Sequence, residues 1–113
     1  MNSFKNFQHR RFISKEGEIL NGDFILKEGL TIRFKNGYLN DAEDEEGNLL
    51  PALMTADSSH IEHWQNGVIH CEKEPAVIDA VDGYEEWWLN GKQVEENQVP
   101  NQIIQQNKLR GRL

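Results

Sequence analysis

Most of what the common function classes require is missing from this sequence. A single cysteine, Cys71, in 113 residues rules out an internal disulfide framework and fits a reducing compartment. No apolar run approaches the roughly 18 residues of a membrane-spanning helix. The start, "MNSFKNFQHRRF", carries no apolar stretch of signal-peptide length, so the expected location is the cytoplasm. Positive charge is almost absent from the body: from Asn36 to Asn107 the only cations are Lys73 and Lys92. Acidic residues cluster there instead, at Asp41, Glu43, Asp44, Glu45 and Glu46 and again at Glu95 and Glu96, and the net charge is -7. Such a body repels phosphate backbones and anionic lipid, so neither nucleic acid nor a membrane surface is an expected partner. Phosphate loops and nucleophile motifs are missing too, which leaves no basis for an enzyme.

What the chain does have is repetition. "PALMTADSSHIEHWQNG" (51–67) overlays "PAVIDAVDGYEEWWLNG" (75–91) without a gap at an offset of 24 residues. A weaker copy, "NGDFILKEGLTIRFKNG" (21–37), precedes them at an offset of 30, the loop "DAEDEEGN" holding 6 extra residues. A fixed period of this length signals stacked supersecondary units. Each unit ends on Asn-Gly flanked by β-formers, the strongest short-range hairpin signal, because a type I′ turn needs positive φ at both central residues. Such pairs begin at Asn21, Asn36, Asn66 and Asn90. The expectation is one all-β domain over 1–113, an antiparallel meander of about three hairpin repeats (21–37, 51–67, 75–94). A basic arm (1–15) precedes it and a tail (97–113) follows, in which "NQIIQQNKLRG" is suited to a short helix.

The repeat also assigns faces. Gly22, Phe24 and Leu26, with Ala52, Met54, Ala56 and Ala76, Ile78, Ala80, are expected on the core face of the first strands. In the second strands Leu30, Ile32 and Phe34 correspond to His60, Glu62, Trp64 and to Tyr84, Glu86, Trp88. The middle position turns acidic, so Glu62 and Glu86 must be edge-exposed or hydrogen-bonded. Arg33, His63 and Trp87 fall on the opposite face, an expected exposed stripe for a partner. The basic arms, with Phe4, Phe7 and Phe12 or Ile103 and Ile104, are either solvated ends or a cover for that second face.

The stretch 63–94 resembles bacterial and viral repeat proteins whose units read W-Y-x-N-G-x-x-H-R-E-x-G-P-A, loose relatives of the MORN and MORN-like antitoxin repeats. Trp64, Asn66, Gly67, His70, Glu72, Pro75 and Ala76 occupy pattern positions, and Tyr84, Trp88, Asn90, Gly91 and Lys92 begin the next unit. The resemblance implies a sheet of hairpins and no shared catalytic residues. His60, His63, His70 and Cys71 lack the spacing of a compact metal site, so no metal or cofactor is expected. The functional expectation is therefore a non-catalytic protein-interaction module, antitoxin-like or phage-associated, using Trp87, His63 and Arg33 against a basic protein partner. An aromatic-faced carbohydrate-binding module is the alternative.

Overall fold

The computed structural model describes residues 4–100, and the expected helix near 101–111 lies outside them, as do Ile103 and Ile104. The fold is all-β and meanders as the turn signals require. The first unit holds β1 (Gly22–Ile25), β2 (Thr31–Lys35) and β3 (Tyr38–Leu39). The acidic insertion makes a small hairpin of its own, β4 (Ala42–Glu43) with β5 (Leu49–Leu50). The second unit holds β6 (Leu53–Met54), β7 (His60–Glu62), β8 (Trp64–Gln65) and β9 (Val68–Ile69). The third holds β10 (Val77–Asp79), β11 (Tyr84–Leu89) and β12 (Lys92–Val94). The main sheet runs β1-β2-β6-β7-β10-β11-β12, every pairing antiparallel, with β3 also on β2.

Three of the four Asn-Gly pairs are type I′ turns. Asn36, Asn66 and Asn90 have φ of 54, 50 and 50°, and the glycine after each has φ of 85°. The turns stack: each glycine N–H donates to the last carbonyl before it in the stack, Gly37 to Leu20 at 2.8 Å, Gly67 to Leu39 at 2.9 Å and Gly91 to Ile69 at 3.0 Å. The asparagine N–H groups are met by side chains at one repeated position, Asn21 Oδ1, Asn40 Oδ1 and His70 Nδ1. Asn21-Gly22 departs from the expectation. It opens β1 instead of closing a hairpin, and Asn21 serves as the acceptor for the first stacked turn.

The described part of the N-terminal arm, residues 4–15, is neither a solvated end nor a cover for the second sheet face. It crosses the stacked turns and bonds each glycine carbonyl in succession: Phe12 N–H to Gly37 at 2.6 Å, His9 N–H to Gly67 at 2.8 Å and Gln8 Nε2 to Gly91 at 3.4 Å. Its aromatic rings continue inward, Phe4 to Phe7 to Phe12 to Phe34 at centroid separations of 5.4, 5.9 and 5.2 Å. They pack on the core built around Trp64, Ile69, Leu39, Val77 and Trp88.

One face assignment needs correction. Leu53, Val77 and Asp79 are buried, whereas Ala56 and Ala80, like Gly22, Phe24 and Leu26 at the edge of the sheet, are exposed, and Met54 and Ile78 lie half-buried on the other side. The cause is a one-residue difference in hairpin length. Phe24 pairs with Ile32, eight positions on, but Leu53 pairs with Glu62 and Val77 with Glu86, nine positions on. A gap-free overlay therefore slips by one, and in a strand that exchanges the faces. Ala52 and Ala76 are buried all the same, and their carbonyls accept Arg33 N–H in β2 and His63 N–H just after β7, both at 2.7 Å.

At Gly67 a Cβ would approach Tyr38 Cδ1 to 2.9 Å on a backbone with φ of +85°. Gly67→Val is expected to cost about 1 to 3 kcal/mol, read as a lower urea midpoint with an unchanged m-value. Trp88 is buried and Trp87 half-buried. Trp88→Ala should therefore cost about 3 to 5 kcal/mol, with Trp87→Ala clearly less damaging in the same titration.

Candidate functional site

The acidic positions on the core face are explained by the tryptophans beside them. Residues i and i+2 share a strand face, and the indole N–H of Trp64 donates to Glu62 Oε1 at 3.0 Å, that of Trp88 to Glu86 Oε1 at 3.0 Å. In the first unit the aromatic is Phe34, which has no N–H, and its companion is Ile32. Glu62 goes further. Fully buried, it also takes His60 Nε2 at 2.7 Å and the Phe4 N–H at 3.1 Å on Oε2, while His60 Nδ1 meets Asp79 Oδ2 at 2.7 Å.

A second histidine is caged on the opposite face. His63, expected in an exposed stripe, is only 1% exposed. Its Nδ1 lies 2.6 Å from Asp41 Oδ2, and Asp41 Oδ1 takes the backbone N–H groups of Ala52 and Trp64 at 2.8 and 2.9 Å. Its Nε2 lies 2.7 Å from Glu74 Oε1 but out of line for a ring N–H hydrogen bond. Arg33 is also engaged, Nη1 donating to the Pro51 carbonyl at 2.6 Å and Nε lying 3.2 Å from Asp23 Oδ2. Arg33, His63 and Trp87 do occupy equivalent strand positions, as the repeat requires. Of the three, Trp87 is the one not enclosed by such ionic partners.

An aliphatic row crosses this outer face one step from Trp87 and ends at Glu85 on β11. Across the strands the register sets Ile25 beside Thr31, Thr31 beside Met54, Met54 beside Ile61, Ile61 beside Ile78 and Ile78 beside Glu85. Ile25 is 74% exposed, and Met54, Ile61 and Ile78 are half-buried with the outer face as their only sheet face. Trp87 pairs with Val94 one step along. The sequence contained this row at the 24-residue spacing of Met54 to Ile78 and Ile61 to Glu85, but the slipped overlay placed Met54 and Ile78 in the core.

Elsewhere the chemistry is muted. An open cleft of about 350 Å³ beside the β4–β5 hairpin includes Asp41, Trp64, His70, Cys71 and Lys73 in its lining. Cys71 is buried, and burial raises its thiol pKa, away from nucleophilic use. Among the described residues no group of three His, Cys, Asp or Glu side chains converges for a metal ion, and no helix is long and apolar enough to cross a membrane. No family model, curated protein or solved structure significantly matches the chain.

Both caged histidines have raised pKa values. Burial alone pulls each down, but the carboxylates outweigh it, Glu62 and Asp79 at His60 and Asp41 and Glu74 at His63. A histidine raised on folding contributes stability that is full below about pH 6.5 and is lost as pH rises through its folded pKa. Asp79 works in the other direction. The Asp82 N–H and His60 hold it down to about 2 from the ordinary 3.8, so its contribution is present above that ordinary value and fades as pH falls toward the folded one. Urea midpoints should therefore fall from about pH 6.5 upward, and His63→Gln should flatten that decline while leaving the acid limb in place.

Proposed function

We propose that the chain is a non-catalytic protein-interaction module that offers its outer sheet face to a protein partner. The observation that carries this reading is the aliphatic row Ile25, Met54, Ile61 and Ile78, with Trp87 beside it, on the side of the sheet away from the core. A contiguous apolar strip with a polar rim is how small domains present a contact surface, and tryptophan is enriched among residues that dominate binding energy. The acid-rich body, at a net charge of -7, favours a partner with a basic surface and steers it at long range. The resemblance to W-x-x-N-G repeats, loose relatives of MORN-like antitoxin repeats, supports the same class of partner, a protein encoded beside this chain and recognised by it.

The replacement pair Met54→Ser and Ile61→Ser removes two facing members of the row, and Trp87→Ala removes its aromatic neighbour. Each variant should lose at least about tenfold in affinity for the protein captured by the wild-type chain, with circular dichroism unchanged. Added salt should slow association of the wild type. Undiminished capture by both variants would remove the outer face from the site. Binding confined to a glycan panel, with little salt dependence, would make the chain a carbohydrate-binding module instead.

A further inference from the structure

β1 is the one first strand that no earlier unit closes. β6 and β10, which open the second and third units, are bonded from outside by β2 and β7 of the unit before. β1 bonds β2 on one side, and among the described residues no strand lies on its other side.

Which groups this leaves open follows from the alternation of an antiparallel pair. Leu26 N–H donates to the Leu30 carbonyl at 2.8 Å, so Phe24 and Ile32 form the next hydrogen-bonded pair, and Asp23 with Arg33 and Ile25 with Thr31 are the pairs between. Arg33 fixes the phase independently. Its N–H turns away from β1 to the Ala52 carbonyl, and its carbonyl accepts the Asn40 N–H. The N–H and C=O groups of Asp23 and Ile25 therefore point off the edge, where none of them meets a partner among the described residues.

The edge is also apolar. All of Gly22–Ile25 is exposed, and Phe24, Ile25 and Leu26, at 38, 74 and 48% exposure, are consecutive in the chain. Devices that blunt an edge strand are missing: Gly22–Ile25 holds no proline or lysine, and its one charge, Asp23, is drawn back to Arg33 at 3.2 Å.

We infer that β1 pairs with β1 of a second copy of this chain, antiparallel about a two-fold axis at Phe24, so that two sheets become one. The open groups select this axis. Asp23 and Ile25 flank Phe24 symmetrically, so Asp23 of each copy meets Ile25 of the other and exchanges both main-chain bonds with it. Phe24 faces Phe24 of the second copy in the closer, non-hydrogen-bonded pairing. It ends the aromatic column, 5.7 Å from Phe34, and the two columns join across the axis. Leu26 comes opposite Gly22 of the second copy, at which a Cβ would meet nothing within 4 Å of its own chain. Charge agrees with this occupant. Lys27 stands diagonal to Asp23 of the second copy, and Lys27 and Arg33 balance Asp23 and Glu28, whereas copies meeting through the acidic body would repel. A strand of 4 residues makes a small contact, so the dimer forms with rising concentration and is not obligate. The inference goes beyond the outer-face reading and does not rest on it.

Sedimentation equilibrium of the full chain from about 10 μM to about 1 mM should show a monomer–dimer equilibrium. Over the same range the Asp23 and Ile25 amides should shift most in NMR spectra and exchange more slowly with solvent. Ile25→Pro removes an outward N–H and no β1–β2 bond, and should weaken association at least about tenfold. With Cys71 buried, Phe24→Cys should cross-link to a dimer in oxidised glutathione, and Ile25→Cys, offset from its own mate, should not. Met54→Ser with Ile61→Ser should leave the dimer intact, which separates failure of the edge from failure of the outer face. A monomer at about 1 mM, a dimer with shifts centred on Ile61 or β12, or equal cross-linking through both cysteines would overturn the inference. Protection of the Ile25 amide that is independent of concentration would overturn it too, by placing another segment of the same chain on the edge.

Discussion

The buried carboxylate of Glu62 is the point on which the second and third units and the N-terminal arm converge. A lone buried carboxylate is among the most costly groups a small domain can hold, and it is tolerated only when its lone pairs are met. Here the Trp64 indole, His60 Nε2 and the Phe4 N–H meet them, and His60 carries the link to Asp79 in β10. Three stretches of chain, around Phe4, 60–64 and Asp79, are thereby placed by one group. Loss of any partner leaves the others with an unmatched charge, so the network constrains geometry more than it adds net stability.

The stacked turns supply the second level of order. A type I′ turn satisfies its own strands but leaves the asparagine and glycine N–H groups and the glycine carbonyl pointing along the stack. The preceding unit takes the N–H groups, and the N-terminal arm takes the carbonyls. The arm is in this sense part of the repeat array, and its phenylalanines extend the aromatic column that Phe34, Trp64 and Trp88 begin. That leaves the outer sheet face without a cover from the described part of the arm and gives the molecule two unlike sides. One is closed by aromatic packing around a charged network, and the other carries the aliphatic row of Met54, Ile61 and Ile78 beside the caged His63.

Particular residues show how far the pattern could be read without coordinates. The turn conformations follow from local sterics, which is why Asn36, Asn66 and Asn90 were legible. The burial of Trp88 over Trp87 follows from strand alternation and the repeat. Glu62 was half legible: the sequence required it to be edge-exposed or hydrogen-bonded, but its partner, the Trp64 indole N–H, came only from the structure. The faces of Met54, Ile78, Leu53 and Val77 were misread because hairpin lengths differ by one residue, and side-chain direction reverses with every residue.

The sequence by itself determined the all-β class, three of the Asn-Gly turns and the sheet of antiparallel hairpins, because these depend on backbone sterics and short-range alternation. Only the tertiary structure decided that His63 is caged by Asp41 and Glu74, that the basic arm belongs to the turn stack, and that Ile61 and Ile78 share an outward row. Each of those depends on which residues meet across strands far apart in the chain. A cross-strand register is set by the sum of loop lengths and side-chain packing, and no local propensity encodes that sum.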